Sequence, residues 1–102
     1  MNPELDKQAP LTGIRVIDFG HYIAGPLTGM LLADQGAEVI KIESSLALAV
    51  VGGAAAATPY GIGQRHNWNA GKLSFTLNMR TPQGVHTAKQ VGGISDVVAE
   101  NF

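Results

Sequence analysis

The chain has 102 residues, of which 45% are hydrophobic and only 15% charged, against roughly 25% charged in ordinary globular domains. A net charge of −1 leaves no electrostatic footprint for nucleic acid or an anionic membrane surface, so any phosphate contact has to be local. With no cysteine, disulfides, thiolate catalysis and cysteine metal sites are excluded, while the length allows one small domain or, as the low charge suggests, a piece of a larger one.

The first ten residues, MNPELDKQAP, carry Glu4 and Asp6 and no apolar segment, which predicts an extended arm rather than a signal peptide. Ile14 to Phe19 is rich in β-branched and aromatic residues and is closed by Gly20, so it reads as a buried strand. Glu38 to Ile42 reads as a second. Between them Leu27, Met30, Leu31 and Asp34 recur every three to four residues, which predicts a helix whose apolar stripe of Leu27, Met30 and Leu31 is core. Pro26 suits the first helical position and Gly36 the C-terminal stop. Strand, helix and strand this close predict neighbouring parallel strands with a right-handed crossover. Such a unit sets loop backbone and a helix N-terminus at the carboxyl end of the sheet, where nucleotide-like ligands bind.

Residues 44–71 are irregular. Leu46 to Val51 and the four alanines Ala54 to Ala57 are interrupted by Gly52, Gly53, Pro59, Gly61 and Gly63, which predicts a loop with at most a turn or two of helix. The same breaks argue against a membrane-spanning helix, and a cytoplasmic protein is expected. Lys72 to Leu77 predicts a strand with an alternating pattern. Thr81 follows as a helix N-cap with Pro82 at the first position, then Val85, Ala88 and Val91 face inward until Gly92-Gly93 cuts the helix. Asp96 to Ala99 forms the last short strand. The class expected is α/β: a Rossmann-like βαβ unit with a parallel sheet, the N-terminal part of a larger domain.

Other motifs carry little chemistry. Gly61-Ile62-Gly63 begins like a dinucleotide fingerprint, but His66 replaces the third glycine and no strand precedes it. Gly20 to Gly25 has a phosphate-loop spacing, yet Pro26 stands where lysine is required. His21, His66 and His86 lack paired ligand spacing, so no metal is expected. Tyr60 and Trp68 offer rings for stacking on an adenine, although packing of that loop is the commoner use. Asp18, Asp34 and Asp96 read as structural or solvated carboxylates, so no catalytic residue is assigned.

The blocks LTGIRVIDFGHYIAGP, LLADQGAEVIKIE, LSFTLNMRTPQG and SDVVAENF, in this order, resemble the N-terminal portion of the family III coenzyme A transferases. That family includes formyl-, succinyl- and carnitine-type CoA transferases, with the 2-methylacyl-CoA racemases as a sister branch. The resemblance implies a Rossmann-like domain in which residues 11–102 form an incomplete nucleotide-binding unit behind the arm of residues 1–10. It implies coenzyme A as a substrate, with CoA thioesters and carboxylic acids as partners, and an interlocked homodimer when full length. CoA contacts carry over to His21, Tyr22, Ile23 and Ala24 in the loop after the first strand, to Leu77 and Arg80 of LNMR, and to Asn101 and Phe102 of the ENF block. Arg80 would touch a phosphate, Asn101 would give polar contacts and Phe102 an apolar wall.

Two positions depart from the family pattern. Ser44 stands where some relatives carry an arginine that packs on the adenine, and it offers only a hydroxyl. An Asn-Lys-Arg block before the third strand reads Ala70-Gly71-Lys72-Leu73, one cation fewer. In the transferases an aspartate nucleophile forms a mixed anhydride with the acyl group, and it lies well beyond the ENF block. The chain as given lacks it and is expected to be inactive alone, supplying CoA-binding loops to a reaction that moves CoA between carboxylic acids. The rivals are a truncated, non-catalytic CoA- or nucleotide-binding module and the racemase branch, which needs downstream proton-transfer groups.

Overall fold

In the computed structural model, residues 9–44, 63 and 66–102 are described. The arm's first eight residues, the Leu46 to Val51 run, the alanines and Tyr60 lie outside them. Strand β1 (Arg15–Asp18) leads into helix α1 (Ala24–Asp34) and strand β2 (Glu38–Glu43); strand β3 (Leu73–Thr76), helix α2 (Pro82–Gly93) and strand β4 (Val97–Ala99) complete the order. The four strands form one all-parallel sheet in the order β3-β2-β1-β4. This is the order of the first four strands of a dinucleotide-binding sheet, in which the direction of winding reverses between β1 and β4.

The pleat decides what each face carries. Val16 lies opposite Val39, and Asp18 opposite Lys41 and Ala99, so these residues share the face that α1 covers. Val16, Ala37 and Val39 form the core cluster, with Leu11, Ile14, Leu32, Ala33 and Ala99 packed against it. On the other face Ile17 is fully buried, while Leu73 beyond Ile40 and Val98 beside Ile17 are exposed.

Helix α1 buries a different stripe from the one its large apolar residues mark. Gly25, Pro26 and Gly29 are buried, whereas Leu31 is 53% exposed and Asp34 is exposed. Small residues face the sheet because the helix lies too close to the end of β1 for larger ones, and Leu27 and Met30 are only half-buried. The helix also begins two residues earlier than Pro26. Ile23 is the N-cap without a side-chain cap, and Pro26 takes the third position, where its missing N–H is still no loss.

At the other end Gly36 adopts φ +100° and donates to the Ala33 carbonyl at 3.0 Å, while Ala37 donates to Leu32 at 3.1 Å. These two bonds complete a Schellman stop, with Ala37 and Leu32 joined in the apolar cluster.

Helix α2 starts as the sequence predicts. The Thr81 hydroxyl accepts from the Gly84 N–H at 3.0 Å, and Pro82 stands at the first position. Its glycines do not cut it short, since the last turn includes Gly92 and Gly93. Only Gly84 and Ala88 are buried; Val85 and Val91 are half-buried. Strand β3 shows no alternation of burial, because it is the edge strand and all four residues are exposed.

A Gly36→Ala substitution places a Cβ about 2.5 Å from that of Ala9 in a left-handed conformation that costs alanine about 1–2 kcal/mol. Urea denaturation is expected to show at least that loss with an unchanged m-value.

Candidate ligand-binding site

Every sequence-predicted site residue falls at the carboxyl end of a strand. His21, Tyr22, Ile23 and Ala24 follow β1, Ser44 follows β2, Leu77 and Arg80 follow β3, and Asn101 and Phe102 follow β4. They are not all brought together. β1 and β4 are neighbours, so His21, Asn101 and Phe102 meet. Leu77 and Arg80 leave the sheet two strands from β1, about 10 Å along the same edge at ordinary strand spacing.

The contact at the β1–β4 junction is specific. The Asn101 side chain accepts from the His21 N–H at 2.8 Å and donates to the His21 carbonyl at 2.9 Å, closing a reciprocal pair across 80 residues of sequence. The Phe102 ring lies 5.1 Å from the His21 ring at a tilt of 56°, a favourable aromatic arrangement. Behind this pair the backbone passes close to itself. A Cβ on Gly25 would come within 2.6 Å of both Asn101 Oδ1 and the Gly20 Cα, so neither glycine tolerates a side chain without displacement.

Tyr22 sits at φ 59° with its side chain 74% exposed, and Ile23 and Ala24 are exposed. The N–H groups of Ile23, Ala24 and Gly25, the open end of α1, meet no acceptor among the described residues. They form a small array of donors at a helix N-terminus, beside His21 and Phe102.

Ser44 is half-buried just past β2. Leu77 donates to the Glu43 carbonyl at 2.9 Å, extending the β3–β2 ladder to the sheet edge. Arg80 is exposed; its N–H is held by Asn78 Oδ1 at 3.0 Å. It lines an open depression with Thr81, Pro82, Val85, His86 and Lys89. Trp68 is half-buried. Among the described residues no cluster of three histidines or carboxylates could hold a metal, and no helix is long and apolar enough to cross a membrane.

Beneath the loop lies an arrangement that reading the sequence did not find. Asp18 is fully buried. Its Oδ2 takes the Lys72 ammonium at 2.6 Å, its Oδ1 accepts from the Gly20 N–H at 2.6 Å, and the Lys41 ammonium stands 3.9 Å from Oδ1 and donates to the Gly20 carbonyl. Of the two roles expected for this aspartate, structural or solvated, the burial and pairing fit the structural one. A carboxylate in an apolar strand is tolerable when it is paired and hydrogen-bonded; here Lys72, just before β3, does both, Lys41 of β2 adds a second positive charge, and the Gly20 N–H a second hydrogen bond. The Cβ that Gly29 lacks would fall 2.7 Å from Asp18 Oδ2 and 3.1 Å from Lys72 Nζ, which explains why α1 buries glycine there. A charged residue ending an apolar strand, read with the Gly25 and Gly29 spacing, was the available signal.

A family model described as CoA-transferase family III matches residues 11–102. The chain belongs to this family. Over 95% of its length it is 34% identical to a succinate–glutarate CoA-transferase of Agrobacterium fabrum, of which it covers 26%. Over 91% it is 39% identical to the beta subunit of a succinyl-CoA–L-malate CoA-transferase of Chloroflexus aurantiacus, covering 23% of that protein. The crystal structure of a CAIB/BAIF family protein from Brucella suis superposes with a TM-score of 0.77 at 33% identity, over 92% of this chain and 26% of that one. The family III segment described here therefore spans about a quarter of the length of the curated relatives it matches.

Removing one partner of a buried ion pair strands the other charge, at a cost of about 3–5 kcal/mol. Asp18→Ala is expected to lose stability on that scale in chemical denaturation; a change below about 1 kcal/mol would mean that Asp18 behaves as a surface carboxylate.

Proposed function

We propose that this chain supplies the coenzyme A cradle of a family III CoA-transferase that moves CoA between carboxylic acids. The observation that carries the reading is the row of N–H groups at Ile23, Ala24 and Gly25 that meet no acceptor among the described residues, set where the winding of the sheet reverses. An anionic group of the cofactor suits those donors, and His21 and Phe102 give it an aromatic flank. Arg80, two strands away and without a side-chain acceptor among the described residues, serves a second phosphate. Leu77 and Ser44 line the edge between them.

In the complete enzyme an aspartate carboxylate attacks the thioester carbonyl, the C–S bond breaks, and CoA leaves as the thiolate while an acyl–aspartyl mixed anhydride forms. The thiolate attacks the aspartyl carbonyl and releases the donor acid, the acceptor carboxylate attacks the resulting aspartyl thioester and expels the thiolate again, and the thiolate attacks the acceptor's carbonyl in the second anhydride to give the new CoA thioester and free aspartate. None of the described aspartates suits that step. Asp18 is sealed by lysines, Asp34 lies on the outer side of α1, and Asp96 accepts from the Arg15 N–H at the opposite end of the sheet. As the resemblance to the transferases implies, the nucleophile belongs beyond the ENF block. The same reading includes an interlocked homodimer, a cytoplasmic location and CoA thioesters and carboxylic acids as partners.

Calorimetric titration with CoA is expected to give saturable binding, weakened about tenfold, or 1.4 kcal/mol, by Arg80→Ala. The absence of any binding heat with folded protein would refute the cradle.

A further inference from the structure

The Gly20 to Pro26 loop is gripped at both ends by the same buried charges. At its entrance the Gly20 N–H goes to Asp18 Oδ1 at 2.6 Å, and the Gly20 carbonyl goes to the Lys41 ammonium. At its exit the Pro26 carbonyl accepts from Lys72 Nζ at 2.8 Å. Lys72 spends its other donors on Asp18 Oδ2 at 2.6 Å and Asn69 Oδ1 at 3.0 Å, so an ammonium with three N–H groups is fully used. Its side chain is 1% exposed.

Between these anchors Tyr22 holds a left-handed backbone that a bulky residue keeps only when its surroundings impose it. Its own side chain stands in solvent and contributes no packing that would impose it. The geometry points to Asp18, Lys41 and Lys72 as positioning residues that fix this loop in its ligand-competent shape. The inference rests on the proposed role of the loop as the CoA cradle. It also ties the loop to β3, since Lys72 precedes the strand that leads to Leu77 and Arg80, so the two candidate contact regions are held by one buried group.

A purely structural ion pair and a positioning one are separable. Replacing a buried pair by apolar residues of similar volume is often neutral or stabilising, yet it removes the hold on Gly20 and Pro26. The variant pair is Asp18→Leu with Lys72→Met, and Lys41→Met is the second variant because it leaves the Asp18–Lys72 bond intact. The readouts are the melting temperature, amide hydrogen exchange of residues 20–25 without ligand, and CoA affinity by calorimetry. The double variant is expected to melt within about 8 °C of the parent, while the Gly20 amide exchanges at least about tenfold faster. CoA affinity is expected to fall about tenfold. Lys41→Met is expected to move both loop readouts in the same direction by a smaller factor, and it decides the matter alone if the double variant does not fold. Unchanged exchange across residues 20–25 in the folded variants overturns the inference. Faster exchange in a protein whose parent binds no CoA upholds the clamp and removes only the cofactor reading.

Discussion

A single buried carboxylate organises the mouth of this fold. Asp18 ends β1 in the most protected part of the sheet, and desolvating a carboxylate there is costly unless it is charge-paired and fully hydrogen-bonded. The structure meets that condition with groups from three directions: the Lys72 ammonium, the Lys41 ammonium and the Gly20 N–H. Each of those groups is in turn constrained. Gly20 fixes where the chain leaves β1, Lys72 reaches the first turn of α1, and Gly29 lets the helix come down onto the pair.

The rest of the site follows from topology. Because β4 pairs with β1 on the side away from β2, the residues after β4 lie beside the loop after β1, and Asn101 can hold His21 by both its backbone groups. That bond does for one side of the loop what the lysines do for the other. Between them, among the described residues, no acceptor meets the N–H groups that open α1. Site residues after β3 belong to the same edge but to a separate stretch of it, which suits an extended ligand better than a compact one.

Much of this was legible in the sequence where the cause is local. The strands around Val16 and Val39, the Thr81-Pro82 helix start and the Gly36 stop are set by β-branched runs, a hydroxyl cap and a left-handed turn, all visible within a few residues. The buried stripe of α1 was not. Hydrophobic periodicity assumes that the largest apolar residues mark the core, whereas here close approach selects Gly25 and Gly29 and leaves Leu31 outside. The ion pair left only a partial trace, a charged residue ending an apolar strand near Gly25 and Gly29, because its partner Lys72 lies 54 residues away. Of the residues that the family blocks pick out, His21, Asn101 and Phe102 meet at the β1–β4 junction, while Arg80 lies along the same edge two strands from β1.

Buried charge grips the loop after β1 from below, and the proposed role of its upper side is to present backbone donors to an anionic cofactor. Amide chemical shifts recorded during a CoA titration examine that claim most directly. The account predicts that the largest changes fall on His21 to Gly25 and Asn101, with a second group around Arg80. Changes confined to the Arg80, His86 and Lys89 depression, with the loop after β1 unmoved, would contradict it.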